Sequence, residues 1–150
     1  MAIVRTAGTE IIRCANFEEI DGSAGYTLIY GEQHHIYTVL SIVIYCESLQ
    51  ATTNPIDMYI RGYDVVAGTT ARTCKIFRQV VSATETFVWD NKFSFNGHEP
   101  TDFTGPLTSV AEQNAIADQG SSVAQKLEMS TWHTDDNFDV VITYIDQNNS

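Results

Sequence analysis

The residues with the clearest potential for chemistry lie close together near the C-terminal end of the chain. His133 is followed by Asp135, Asp136 and Asp139, which brings an imidazole and three carboxylates into one short stretch. Carboxylate oxygens are the ligands that Ca²⁺ prefers, but the Asp-x-Asp-x-Asp-Gly order of an EF-hand loop is missing. The spacing favours a solvated loop between two strands, and whether the Asp135, Asp136 and Asp139 loop binds a cation stays open.

Two other polar clusters have the residue types of a site but not its spacing. His34 and His35 are adjacent, so on a strand their side chains point to opposite faces and cannot hold one metal ion together. Glu18 and Glu19, with Asp21 close by, form a second acidic cluster. We predict that His34 and His35 are turn or surface histidines and that the acidic cluster lies on the solvated surface.

Aromatic residues offer a possible platform for stacking sugars. Four of them alternate between residues 86 and 95 and therefore share one face of a strand. They are Phe87, Trp89, Phe93 and Phe95. Because a regular aromatic face is far more often core than binding surface, we predict that these residues are buried. Trp132, whose strand face also holds Glu128 and Ser130, is the better candidate for an exposed platform.

The motifs of common enzymes are missing from the sequence. There is no Gly-rich phosphate loop, no GxSxG nucleophile elbow and no HExxH zinc motif. The three cysteines, Cys14, Cys46 and Cys74, are far apart and form no CxxC pair. This pattern indicates buried thiols in a reducing compartment, not disulfides or a zinc site. We therefore expect no cofactor and no catalytic activity.

The net charge of the chain disfavours two classes of binding partner. The 150 residues fit a single domain, 1–150, with 8 Lys and Arg against 19 Asp and Glu and a formal charge of −11. Binding to nucleic acid or to an anionic membrane needs clustered basic residues, so both are disfavoured. The first, middle and last fifty residues carry −4, 0 and −7, which concentrates acid in the last third. We expect assembly in a cytoplasm, since the sequence begins without the pattern of a signal peptide and has no apolar run of membrane-spanning length.

Composition and alternation predict an all-β domain. Val, Ile and Thr account for 43 residues, against 5 Leu and 3 Lys, and β-branched side chains suit a pleated, half-buried surface. Alternating polarity marks strands at 2–6, 9–14, 26–30, 36–47, 56–61, 73–80, 86–95, 125–133 and 138–146. Asn96-Gly97 is predicted to form a tight turn. In the insertion 101–122, a capping box of Ser109 and Glu112 predicts one short helix that ends before Gly120.

The strand at 36–47 is apolar on both of its faces. Strict alternation puts Ile36, Leu40, Ile42 and Ile44 on one face, and Tyr37, Val39, Val43 and Tyr45 on the other. A strand of this kind lies in the middle of a structure, so a second layer or a neighbouring subunit is expected to cover its outer face. About eight strands at this spacing predict an antiparallel two-sheet β-sandwich, jelly-roll or immunoglobulin-like.

The order of these elements resembles that of small β-sandwich proteins in the virions of tailed bacteriophages. The matching segments are the long hydrophobic strand 37–47, the strand 74–81, the aromatic strand 85–92, the strand 126–131 and the terminal strand 138–145. The sequence departs from this pattern at Thr101–Ser122, where such proteins often have a short hairpin.

The resemblance implies a non-enzymatic virion protein, above all a capsid decoration, or cement, protein. Such a protein binds the outer capsid surface, bridges neighbouring major capsid proteins and forms dimers or trimers. The opening segment 1–14, the edge strands and the insertion 101–122 are expected to make the contacts, and 147–150 is expected to be a flexible tail. The residues predicted at interfaces are Ile3, Val4, Ile11, Tyr37, Val39, Val43, Tyr45, Phe103, Leu107 and Trp132.

Three other functions stay open at this point. A tail, neck or fibre module would also belong to the virion but would occur in few copies per particle. A carbohydrate- or receptor-binding module would use exposed aromatic residues, with Trp132, Tyr37, Tyr45 and Tyr59 as candidates. An enzyme would depend on the cluster around His133.

Overall fold

Eleven strands and one helix make up the part of the chain that the computed structural model describes, residues 9–21, 24–64, 67–101, 108–118 and 120–148. The strands are β1 (Thr9–Ile20), β2 (Tyr26–Tyr30), β3 (His35–Ser48), β4 (Pro55–Asp64), β5 (Thr69–Val80), β6 (Thr86–Trp89), β7 (Phe93–Asn96), β8 (His98–Pro100), β9 (Ser122–Ala124), β10 (Lys126–Ser130) and β11 (Asn137–Asn148). The helix is α1 (Val110–Asp118).

Two antiparallel sheets form the layers of a sandwich. In the five-stranded sheet the order is β1-β11-β3, and both β6 and β7 pair with the far side of β3. The four-stranded sheet has the order β2-β10-β4-β5, and β8 and β9 form a separate two-stranded ribbon. The prediction of an all-β sandwich of two sheets is confirmed.

The core lies between the inner faces of the two sheets. The five-stranded sheet contributes mainly β-branched residues, as the composition led us to expect, with Ile42, Ile44 and Val140 almost completely buried. Met58 and Leu127 face them from the four-stranded sheet and are fully buried as well. Phe95 is buried in the same core, and Phe87, Trp89 and Phe93 are half-buried against it, so the aromatic face belongs to the core as predicted, although only Phe95 is fully covered.

A β-bulge in β3 explains why that strand looks apolar on both faces. Thr143 of β11 pairs with Ser41, and the next residue, Tyr144, pairs with Val39, so Leu40 is the extra residue. Before the bulge Tyr37 and Val39 face the core, and after it the even-numbered residues do. The prediction of strict alternation along 36–47 is therefore wrong, because one extra residue moves every later side chain to the opposite face of the sheet.

The aromatic segment 86–95 is two strands, not one. Residues 90–92 separate β6 from β7, and both strands pair with β3. The predicted tight turn at Asn96-Gly97 is wrong, because the chain continues from β7 into β8, which pairs with β9. Gly97 instead allows two backbone segments to pack closely, because a Cβ there would clash with the backbone of Glu32.

The start and end of the described chain lie in the five-stranded sheet. β1 pairs with β11 from Thr9 onward, so residues 9–14 are part of the sandwich and not a separate arm. Gln147 and Asn148, predicted to be a flexible tail, are paired residues of β11. Ile3, Val4, Phe103 and Leu107 lie outside the described residues. Within the described ranges, no helix is long and apolar enough to cross a membrane.

Candidate interaction surfaces

The topology gathers the first described residue and the insertion at one end of the sandwich. Thr9 pairs with Asn148, which in turn pairs with His35 at the start of β3. The amide of Gly97, where the chain leaves for β8, donates to the His35 carbonyl at 2.8 Å. We call this end, with β8, β9 and α1, the insertion end.

Close backbone contacts fix the insertion end to the sandwich. The amide of Gly31 donates to the Gln125 carbonyl, and the amide of Gln125 donates to the Gly97 carbonyl, both at 2.8 Å. A Cβ on Gly31 would clash with the Gly97 carbonyl. The ends of β2, β7 and β10 therefore meet at a spacing that only glycine permits.

The helix α1 forms by the capping box that the sequence predicts. The Glu112 amide donates to Ser109 Oγ at 3.2 Å, and the Ser109 amide donates to Glu112 Oε2 at 3.3 Å. None of the helix side chains that the structure describes is buried, and Val110 is 70% exposed. The helix thus presents side chains outward from the body of the protein.

A buried polar cluster lies next to the insertion end. His35 Nδ1 lies 2.6 Å from Asp146 Oδ1, and Arg13 Nε lies 3.1 Å from Asp146 Oδ2. The Tyr37 hydroxyl accepts a hydrogen bond from the Glu32 amide, and burial raises the pKa of Tyr37 to about 12. The prediction of a turn or surface histidine is wrong for His35, which begins β3, is buried and joins the ends of β3 and β11.

The acidic loop after β10 is a structural junction. Asp136 is completely buried, and its carboxylate accepts hydrogen bonds from the amides of Gln50 and His133 and from Asn54 Nδ2. This corrects the prediction of a fully solvated loop, although Asp135 is exposed. Among the described residues, no group of three or more His, Cys, Asp or Glu side chains is arranged to hold a metal ion.

Four carboxylates crowd together at the other end of the five-stranded sheet. They are Glu18, Glu19, Glu47 and Asp139, and we call them the acid-rich cluster. The hydrogen bond with Asp139, followed by the charges of Asp139, Glu19 and Glu18, raises the pKa of the Glu47 carboxyl. Within the described part of the chain, no salt bridge joins these four groups to Lys or Arg.

Next to the acid-rich cluster, the outer face of the five-stranded sheet carries a row of uncharged, mostly apolar side chains. One row across β1, β11, β3 and β6 consists of Asn16, Val141, Val43 and Val88. Val88 is 54% exposed, and Ile12 in β1 is 71% exposed. Exposed apolar side chains gathered on one face mark an interaction surface. We call it the apolar face.

The outer face of the four-stranded sheet has the opposite character. Ile56, Met58 and Ile60 of β4 enter the core, so the alternate residues Asp57, Tyr59 and Arg61 point outward. Lys75 and Arg78 of β5 and Lys126 of β10 lie beside them by register. We call the surface of Arg61, Lys75, Arg78 and Lys126 the basic face.

Two buried carboxylates hold the side chains of the basic face in place. Arg78 donates to Asp57 with two hydrogen bonds of 2.7 and 2.9 Å, and Lys75 Nζ lies 3.4 Å from the same carboxylate. The Tyr59 hydroxyl donates to Glu128 at 3.0 Å, and Arg61 Nε lies 3.7 Å from Glu128. The hydrogen bonds from Arg78 lower the pKa of Asp57, despite the opposing effect of burial.

Exposed aromatic residues flank the basic face. The Lys126 ammonium lies 5.0 Å from the centre of the Tyr30 ring, and the Arg78 guanidinium lies 5.6 Å from that of Trp132. Trp132 is 59% exposed and Tyr30 is 62% exposed. Aromatic and Arg residues together are typical of contact surfaces.

The predicted interface residues are divided between surface and core. Val43 and Tyr45 lie on the outer side of β3, Ile11 is half-buried in β1, and Trp132 is exposed. The prediction for Tyr37 and Val39 is wrong for the folded chain, because both are buried in its own core. Tyr59 is buried too, so neither it nor Tyr37 offers a sugar-binding platform.

Sequence reasoning missed the basic face. Its four residues come from three strands that are not all consecutive in the sequence, so only the pairing of β10 with β4 brings them together. The sequence does hold one sign of this surface, because Asp57, Tyr59 and Arg61 alternate with apolar residues in the strand predicted at 56–61.

Comparison with known proteins identifies no family for this chain. No family model matches the sequence, and no curated protein matches it. One similar solved structure is a chain of the disulfide-linked pili of Bacillus endospore appendages, with 11% identity, a TM-score of 0.42, and coverage of 100% of this chain and 96% of that one.

A second solved structure with some likeness comes from infectious bursal disease virus, Gt strain. The identity is 12% and the TM-score is 0.35 over 94% of this chain. This chain spans only 33% of that viral chain. At these values neither likeness supports an inference about function, which therefore rests on the surfaces described above.

Proposed function

We propose that the chain is a non-enzymatic structural protein of a tailed-bacteriophage particle: a decoration protein that binds the outer capsid surface and bridges neighbouring major capsid proteins. One observation supports this most directly. The described chain begins with Thr9 at the insertion end, and Thr101 and Ser121, which border the described helix of the insertion, are hydrogen-bonded to each other beside β8 and β9. Two segments at one end can contact two neighbouring subunits of a lattice at once.

The helix α1 supports docking at this end. It has nine residues and presents exposed side chains, including Val110. Isolated helices shorter than about 12 residues are marginal in water, because most helical stability in proteins comes from packing of an apolar side. A partner surface that covers Val110 would supply that packing.

The distribution of charge supports an outward orientation. With the insertion end on the capsid, the acid-rich cluster at the opposite end of the five-stranded sheet points away from the particle. A formal charge of −11 is unfavourable next to packaged nucleic acid and suits an outer surface.

Co-sedimentation with capsids tests the proposal. Particles of the virus that carries this sequence, prepared without the chain, are mixed with purified wild-type protein. We expect the wild type to sediment with them and Val110→Asp to bind about tenfold more weakly, because a charge replaces an exposed apolar contact. The matched control is Val80→Asp, an exposed valine at the other end of the sandwich, which should bind like the wild type. Failure of the wild type to bind would overturn the proposal.

Copy number distinguishes a decoration protein from a tail or neck component. A decoration protein covers the capsid lattice, so immunogold labelling should mark the whole head and quantitative gel analysis should give many copies per particle. Label confined to the tail or neck, with few copies, would assign the chain to that part of the virion instead.

A further inference from the structure

The basic face is unusual in a chain with so much acid. It holds four of the eight Lys and Arg residues and, with Asp57 and Glu128, only two of the nineteen Asp and Glu. This surface therefore carries +2, and the remainder of the chain carries −13. The positive charge is held in fixed positions, because Asp57 and Glu128 are buried beneath the long basic side chains. Such an arrangement is complementary to an acidic protein surface.

The chain itself has an acidic surface of this kind on its opposite layer. The acid-rich cluster has no Lys or Arg partner in the described ranges, and its carboxylates crowd one another. The apolar face lies directly beside it, with exposed Val88 and Val141. One layer thus presents carboxylates beside apolar side chains, and the other presents Lys and Arg beside exposed aromatic rings. The two surfaces are complementary in charge and in polarity.

The chain connection between the two sheets places Arg78 and Lys75 of the basic face near the level of the acid-rich cluster along the sandwich. The short connection 49–54 joins the end of β3, where Glu47 lies, to the start of β4, so Asp57 and its partner Arg78 lie at the same end of the sandwich as the acid-rich cluster. Asp136, through Gln50 and Asn54, ties this connection to the start of β11. Two copies with the same orientation would therefore bring Arg78 and Lys75 of one copy opposite Glu47 of the next.

We propose that copies of this chain associate front to back, with the basic face of one copy against the acid-rich cluster and apolar face of the next. Lys75 and Arg78 pair with the four carboxylates, while Trp132 and Tyr30 pack on the apolar face. The contact uses different surfaces of the two copies, so it is heterologous and leaves one surface of each kind free at the two ends of a pair. A ring forms where the rotation closes.

Sedimentation equilibrium of the full chain tests this inference. We expect the average mass of the wild type to rise with protein concentration at about 50 mM NaCl, and the association to weaken at least about tenfold at about 0.5 M NaCl, because the charges are screened. Lys75→Glu and Glu47→Lys should each weaken the association by about tenfold or more.

Mixing the two charge-reversed variants provides the most specific result. Lys75→Glu retains its acid-rich cluster and Glu47→Lys retains its basic face, so an equal mixture should associate at protein concentrations at which neither variant associates alone. The control variants Lys92→Glu and Asp118→Lys, both at exposed positions outside the two surfaces, should associate like the wild type.

Three outcomes would overturn the inference: wild-type protein that stays a single chain up to about 1 mM at low salt, association that neither reversal changes, or a mixture that fails to pair. Circular dichroism establishes that each variant is folded, and Lys75→Gln serves in place of Lys75→Glu if the latter is not. The contact does not depend on binding to capsids, so a chain that fails to co-sediment with particles but pairs in the mixture would leave this inference standing.

Discussion

Asp57 lies on the outward-facing side of its strand, yet its charged carboxylate is buried. Its carboxylate lies under Arg78 and Lys75, and the two hydrogen bonds from Arg78 offset the cost of removing the charge from water. The result is a carboxyl whose pKa in the folded state lies below its ordinary value of 3.8. The folded state therefore gains stability from ionised Asp57.

The sign of this shift makes a prediction about acid stability. A carboxyl with a lowered folded pKa contributes stability above its unfolded pKa and loses it as the pH falls through the folded pKa. Asp57→Asn should be less stable than wild type at pH 7 by about 1–3 kcal/mol. The difference should shrink below a pH of about 4. Urea denaturation across this pH range measures both, and an unchanged difference at low pH would contradict the assignment.

The three thiols differ in environment and should differ in reactivity. The prediction of buried thiols is right for Cys46 and wrong for Cys14 and Cys74, which are exposed. Burial raises the pKa of the Cys46 thiol to about 11. Because the thiolate is the reactive form, a disulfide reagent at pH 8 should label Cys14 and Cys74 in the native protein and Cys46 only after denaturation. Mass spectrometry of the labelled peptides identifies them. Rapid labelling of native Cys46 would be inconsistent with this packing.

At the scale of elements, the bulge at Leu40 decides which side of β3 is core. It lets one strand bury Tyr37 and Val39 in its first half and Ile42, Ile44 and Cys46 in its second half. The outer side of the second half then contributes Val43 to the apolar face. A local irregularity of one residue thus separates core positions from contact positions.

The close contact at Gly97, between β7 and β8, leads to a prediction about stability. Gly97→Ala should destabilise the protein by about 1–3 kcal/mol or more, because a Cβ would push against the backbone of Glu32 and disturb the junction of β7 and β8. The matched control is Gly120→Ala, where nothing lies within 4 Å of the new atom. Thermal unfolding of both variants measures the difference, and equal melting temperatures would argue against the close contact.

At the scale of the whole molecule, the two sheets share one core and should unfold together. Ile42 of the five-stranded sheet is fully buried, so Ile42→Ala should cost about 2–5 kcal/mol, whereas exposed Val88→Ala should cost much less. Trp89 and Trp132 lie on different layers and report on both. Tryptophan fluorescence and circular dichroism should therefore give one coincident transition in denaturant. Separate transitions would show that the sheets are independent.

The distribution of charged residues over the surface is also decided at the scale of the whole molecule. The sequence gives −11 for the chain and a neutral middle third, yet the fold divides that middle third between layers. Arg61, Lys75 and Arg78 reach one outer face, and Lys126 joins them from the last third through the pairing of β10 with β4. The acid-rich cluster is likewise built from three strands of the other sheet.

The sequence by itself determined the elements whose signals are local. β-branched alternation placed most of the strands, and Ser109 and Glu112 specified the start of the helix, because backbone geometry and capping depend on near neighbours in the chain. The bulge at Leu40, the burial of Asp136 and the assembly of the basic face were decided only by the tertiary structure. Each depends on which strand lies beside which, and pairing between distant segments leaves no periodic trace in either segment alone.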